Sequence, residues 1–181
     1  MWAGGLAWLL AAQPVFADDL ARGIAEYRRG HYVQAIDILK PLALDGNPYA
    51  QFSLGAMHDD GRGVAQDYGL ALKWYRKAAG YGLADAQYMT GMHYATGRGM
   101  KQNVQRAYVW LNLAAAGGYP DAERARDQEE SEMSRAEVVE AQRIASDWLR
   151  KYPRQLTCKG FRCIHAQWRP KPPWTLFETA Y

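Results

Sequence analysis

Residues 50–85, AQFSLGAMHDDGRGVAQDYGLALKWYRKAAGYGLAD, align without a gap on residues 86–121, AQYMTGMHYATGRGMKQNVQRAYVWLNLAAAGGYPD, at an offset of 36. Thirteen of the 36 pairs are identical, among them Gly55/Gly91, Gly61/Gly97, Gly63/Gly99, Trp74/Trp110, Ala78/Ala114 and Gly82/Gly118. These are mostly residues that geometry selects: glycines, alanines and one tryptophan. A period of this length marks stacked supersecondary units, none of which buries its apolar face alone.

Each unit reads as two helices. Asn47 is a good N-cap, and Pro48 occupies the first helical position, where its missing N–H costs nothing. The spacing of Ala50, Leu54 and Met57 predicts a helix to about Asp60, with Gly61 as a left-handed stop. After the Gly61-Arg62-Gly63-Val64 turn, Asp67 is the expected N-cap of the second helix. That helix carries Leu70, Ala71, Trp74, Tyr75, Ala78 and Ala79 on one stripe and ends at Gly80 and Gly82. Gly55 and Ala71 lack bulk where the two helices cross, and Trp74 is expected to fill the space beside them. Gly91 and Trp110 take these roles in the second copy.

The pattern extends in both directions. A shorter pair is expected upstream, over about 18–29 and 32–44, turning at Gly30-His31. Downstream come a charged helix over 121–132 and a helix with a complete start signal: Ser134 as N-cap, Glu137 closing a capping box, and Met133 stapled against Val138. The expected domain is thus an all-α superhelix of eight helices in four pairs over 18–151, with units 18–47, 48–83, 84–119 and 120–151.

The run Leu54-Gly55, Gly61-x-Gly63-Val64, Asp67, Ala71, Trp74-Tyr75, Ala78-Ala79 and Gly82 resembles the Sel-one-like repeat, a branch of the tetratricopeptide-repeat superfamily. The second copy departs at Thr90, Met100, Asn103 and Leu111, and His58 stands where the family has the tyrosine seen at Tyr94. The resemblance implies an interaction scaffold rather than an enzyme, and many bacterial proteins built this way are exported.

Compartment is argued from the amino end. Met1–Ala17 carries no charge; Leu6–Ala12 is a short apolar core, and Val15-Phe16-Ala17 ends in small residues before Asp18-Asp19. This predicts a secretory signal peptide over 1–17, lacking the usual basic start, and a periplasmic or secreted product with no membrane span. With 49% hydrophobic and 13% aromatic residues in 181, the chain can build a core, and disorder throughout is excluded. A net charge of +3 is too small to argue for nucleic acid.

The charge is unevenly placed. Residues 151–181 hold six Lys/Arg against Glu178, or +5, which leaves −2 for the rest. Within this basic, aromatic, proline-rich tail (152–181), Cys158 and Cys163 flank Lys-Gly-Phe-Arg and are expected to form a disulfide in an oxidising space. Three readings of the tail compete: a cap over the last helices, burying Phe161, Trp168 and Trp174; an extended arm for an acidic envelope surface or partner; and nucleic-acid binding, against which the shortness of the basic patch and an exported location argue.

No catalytic set, cofactor fingerprint or metal-ligand spacing emerges from the four histidines or the two cysteines. The His58-Asp59-Asp60 group reads as a helix end whose acids solvate the turn, and His93 as partly packed. Trp74, Trp110 and Trp148 read as packing. Phe52 and Tyr88 occupy equivalent positions off the Ala50/Leu54 stripe. With Tyr49 and Met92 they are the candidate wall for a protein or peptide partner, and Arg62 and Arg98 are weaker loop contacts; the competing reading has two or three of them merely packing between repeats. The expected function is a monomeric exported scaffold binding a protein in the cell envelope. The alternative is a cell-wall-associated hydrolase, or a binder of peptidoglycan fragments, with a cleft ending in His58 and Asp60.

Overall fold

The computed structural model describes residues 13–152. Eight helices follow one another: α1 (Gln13–Arg29), α2 (Tyr32–Leu44), α3 (Pro48–Asp60), α4 (Tyr68–Gly80), α5 (Ala84–Thr96), α6 (Val104–Ala116), α7 (Ala122–Glu130) and α8 (Arg135–Lys151). No strand occurs among the described residues. From α1 to α7 each helix packs on the next in sequence, the arrangement of a helical-repeat solenoid. α8 breaks the pattern. It packs principally on α6, so the last two helices both lean on the same neighbour.

The helix ends follow the expected chemistry. The Asn47 side chain accepts from the Tyr49 and Ala50 amides, both at 3.1 Å. Asp67 accepts from Leu70 at 2.9 Å, and Asn103, its counterpart, from Arg106 at 2.8 Å. Gly61 and Gly97 stop α3 and α5 in the left-handed region, at φ 69° and 70°. The loops then close identically: Asp67 N donates to His58 O and Asn103 N to Tyr94 O, each at 2.9 Å. α1 starts five residues before the expected Asp18. Pro14 lies in its first turn, where proline is compatible with a helix, so it does not delay the start. Most of the expected leader, the whole of residues 153–181 and the Cys158–Cys163 pair lie outside the described residues.

One small-to-large contact recurs three times between the helices of a pair. A Cβ on Gly55 would lie 2.6 Å from the Tyr75 ring, and one on Gly91 would lie 2.7 Å from Leu111. In the first pair Gly23 meets Leu39, also at 2.7 Å. The large partner is therefore the residue after the tryptophan, not Trp74 itself. Trp74 turns instead into the amino-terminal core with Leu39, Leu54 and Met57, and Lys77 Nζ sits 4.3 Å above its ring. Trp110 and Trp148 belong to the carboxy-terminal core with Ala78, Ala114-flanking Leu113 and Ala141.

α8 begins with the predicted capping box, in which Ser134 Oγ accepts from Glu137 N and Glu137 Oε2 accepts from Ser134 N at 2.8 Å. The hydrogen bonds from the Ser134 side chain and backbone hold the Glu137 carboxyl below its usual value. A depressed folded-state value adds stability above about pH 4.5, and that stability is lost as pH falls through the folded value. Thermal melts of Glu137→Gln should therefore show a shallower decline below pH 4.5 than the parent protein. Parallel melting curves would contradict a charged box.

Candidate functional site

The six candidate contact residues do not form one surface. Tyr49 is half-buried against the amino-terminal core, and Phe52 packs on the carboxy-terminal core with its ring 5.5 Å from Tyr75. Both serve packing between units. Tyr88 and Met92, on the next first helix, are half-buried and stand outside both hydrophobic clusters. Tyr88 stacks face to face on Tyr119, with centroids 4.2 Å apart and planes 19° apart. Burial, followed by the charges of Tyr88, Asp85 and Asp121, pushes the Tyr119 hydroxyl above the usual phenol value. An aromatic pair rimmed by two exposed aspartates thus sits where α5 meets the α6–α7 loop.

Arg62 and Arg98 act in parallel. Arg62 lies 5.8 and 5.9 Å from the Tyr27 and Tyr32 rings, donates to Tyr27 Oη at 3.2 Å and pairs with Asp60 at 3.1 Å. Arg98 lies 5.5 Å from the ring of Tyr68, the counterpart of Tyr32 one repeat on. Each loop arginine thereby covers the start of the preceding unit's second helix. The neighbouring glycines come closer still: a Cβ on Gly63 would lie 2.6 Å from Tyr32 Cβ, and one on Gly99 would lie 2.5 Å from the Tyr68 carbonyl. The Gly-x-Gly loop is a clamp between units, with its arginine as the outer layer.

A buried polar group lies beneath this clamp. His93 Nε2 of α5 is 3.3 Å from Asp59 Oδ1 of α3, with the two side chains only 2% and 8% exposed. Tyr75 Oη of α4 donates to Asp59 Oδ2 at 3.4 Å, and its ring meets the His93 ring edge-on at 5.5 Å. Burial first, then the Asp59 charge, push the Tyr75 hydroxyl far above its usual value, so it stays a donor. His93 Nδ1 is 3.2 Å from the Arg98 carbonyl, which can only accept, so Nδ1 carries a proton. His93 Nε2 and Asp59 Oδ1 face each other without completing a hydrogen bond.

This arrangement corrects two expectations. Asp59 does not solvate the turn; it is buried against His93, and only Asp60 reaches solvent, paired with Arg62. His93 is fully enclosed rather than partly packed. The Asp59–His93 pair was not visible in the sequence because its members lie on different helices, 34 residues apart. It also has no equivalent in the other copy, where Met57 and Ala95 take the corresponding positions. Fully enclosed, with Nδ1 against the Arg98 carbonyl, His93 is out of reach of a substrate. The His58–Asp60 cleft fares no better: the His58 Nδ1 is enclosed without a hydrogen-bond partner, and Asp60 is taken by Arg62.

Two glutamines were also missed as interface residues. Gln51 Nε2 donates to Ala43 O at 3.0 Å, and Gln87 Nε2 donates to Ala79 O at 3.3 Å. Each reaches from a first helix to a carbonyl near the end of the preceding second helix, where such groups lack helical partners. The signal was present: both are polar, identical and 36 residues apart within a run of small apolar residues. Among the described residues no group of three His, Cys, Asp or Glu side chains could hold a metal ion, and no helix is long and apolar enough to cross a membrane.

A fold of stacked helix pairs closed by Gly-x-Gly clamps defines a helical-repeat protein of the tetratricopeptide type. A family model for the Sel1 repeat matches residues 48–80 and 84–119, so these two segments are Sel1 repeats. Two solved bacterial structures share the architecture. One is c5321 of uropathogenic Escherichia coli, described as a protective antigen displaying an SLR fold. It superposes with a TM-score of 0.72 at 24% identity over 86% of this chain and 34% of its own. The other, a Sel1 repeat protein from Oxalobacter formigenes, gives 0.57 at 34% identity over 59% of this chain and 44% of its own. The chain thus spans about a third and under half of their lengths. No curated protein matches it in sequence.

Proposed function

We propose that this chain is an exported scaffold that binds a protein partner in the cell envelope through the face of α5 carrying Tyr88 and Met92. The observation that carries the reading is the Tyr88–Tyr119 stack, which is half-exposed and belongs to neither core. Rigid aromatic side chains of this kind give contact area at small entropic cost and dominate interface energies. Asp85 and Asp121 at its rim favour a partner segment that pairs an apolar side chain with a basic one. Export rests on the charge-free, leader-like stretch before Asp18.

A photoreactive phenylalanine analogue placed at position 88 or 92, and irradiated in intact cells, tests both halves of the reading. It should capture one protein of the envelope fraction. The same group at Lys73, exposed on α4, should not. Equal capture from all three positions, or capture of cytoplasmic proteins alone, would contradict the reading.

A further inference from the structure

α2 packs on α1 and α3 and leaves its outer face uncovered. Of the three large aliphatic side chains that stand exposed among the described residues, two lie on this face: Val33 at 61% and Leu44 at 66%. Between them come Asp37 and Lys40, both exposed. The four are spaced four, three and four residues apart. At about 100° per residue, that spacing keeps them within a stripe about 60° wide. Asp37 and Lys40 pair neither with each other nor with any other described residue. The repeat does not impose this stripe. One period on, α4 has Gly69, Lys73, Arg76 and Gly80 at these positions, with no apolar ends and two like charges, and α6 has no charge there at all.

The stripe is complementary to itself. Val33 and Leu44 stand five and a half residues either side of the point midway between Ile38 and Leu39, and Asp37 and Lys40 stand one and a half either side of it. A second α2, related by a two-fold axis through that point and laid antiparallel, therefore sets Val33 on the partner's Leu44 and Asp37 on the partner's Lys40. The symmetry makes each contact twice. Alternate steps of four and three residues are also the spacing of a coiled-coil seam, along which neighbouring helices pack nearly in line. Laid parallel, the same face would oppose like charges at both central positions.

We propose that the chain pairs with a second copy of itself through this face of α2, antiparallel, with Val33–Leu44 contacts closing the two ends and two Asp37–Lys40 ion pairs between them. The contact is four layers long. An interface this small makes a weak, transient dimer that forms at high local concentration, in place of the monomer expected from the sequence. It uses no side chain of α5, so it stands or falls apart from the partner surface proposed above.

Sedimentation equilibrium of the full chain, from micromolar to millimolar concentration, should show a monomer–dimer equilibrium. Asp37→Lys sets like charges against each other twice and should weaken the dimer by roughly tenfold or more, and Lys40→Asp should do the same. Both positions are exposed, and circular dichroism establishes that each variant is folded. An equimolar mixture of the two variants should associate as tightly as the parent, because each then supplies the charge that the other lacks. A parent that stays monomeric at every concentration would overturn the proposal and leave the α2 face to a different protein. Single variants that dimerise as well as the parent would place the contact on another face, and a mixture no tighter than its components would remove the Asp37–Lys40 pairing; either result overturns the proposal.

Discussion

Gly99→Ala should lower the melting temperature by about 10 °C while Gly30→Ala lowers it by only a few degrees, although both glycines have the same left-handed backbone, at φ 77° and 83°. The conformational term is common to both and is worth about 1–2 kcal/mol. The surroundings differ. A Cβ at Gly30 meets nothing within 4 Å, whereas one at Gly99 lies 2.5 Å from the Tyr68 carbonyl carbon and oxygen. Backbone cannot swing aside as a side-chain tip can, so the loop must lift off α4, adding roughly 1–3 kcal/mol of overpacking strain. A total of about 3 kcal/mol corresponds to about 10 °C in a domain of this size. Equal shifts for the two variants would show that the Gly-x-Gly loop is a turn and not a clamp between units.

The second large effect is expected at the buried Asp59–His93 pair, read by urea denaturation in a double-mutant cycle. His93→Met installs the residue that the other copy carries at Met57, and Asp59→Ala installs the counterpart of Ala95. Either change alone strands a buried polar or charged partner and should cost about 3–5 kcal/mol. Making both removes the stranded group. The double variant should therefore lose less than the sum of the singles, by roughly 0.5–3 kcal/mol. Adding Tyr75→Leu, the counterpart of Leu111, removes the hydroxyl left without its acceptor and should recover more. Strict additivity would mean that the 3.3 Å contact carries no interaction energy.

These two sites mark the limit of what the sequence made legible. The 36-residue period, the caps Asn47, Asp67 and Asn103, and the stops Gly61 and Gly97 were readable because each depends on residues within a few positions of one another. The small-to-large contact was readable only in kind. Glycine at 55 announces a close approach, but whether Trp74 or Tyr75 fills it depends on the helix's rotation, which one residue of register decides. Gly23 escaped notice because it stands 16 residues before Leu39, whereas Gly55 stands 20 before Tyr75, which shifts the first helix off the 36-residue offset while leaving Leu39 on it. The Asp59–His93 pair breaks the repeat altogether, so no internal comparison could reveal it. Among the candidate contacts, sequence equivalence grouped Phe52 with Tyr88. The fold separates them: Phe52 packs on the ring of Tyr75, whose counterpart in the second copy is Leu111, and Tyr88 stacks on Tyr119.

The central claim, that the α5 face is the partner surface, meets its most direct test in the affinity of the captured partner for Tyr88→Ala/Met92→Ala. Circular dichroism melts establish that the variant is folded, and titration calorimetry compares it with Lys73→Ala. The account predicts binding at least tenfold weaker for the double variant, about 1.4 kcal/mol, and no change for Lys73→Ala. A folded double variant that binds with the parent's affinity would contradict it.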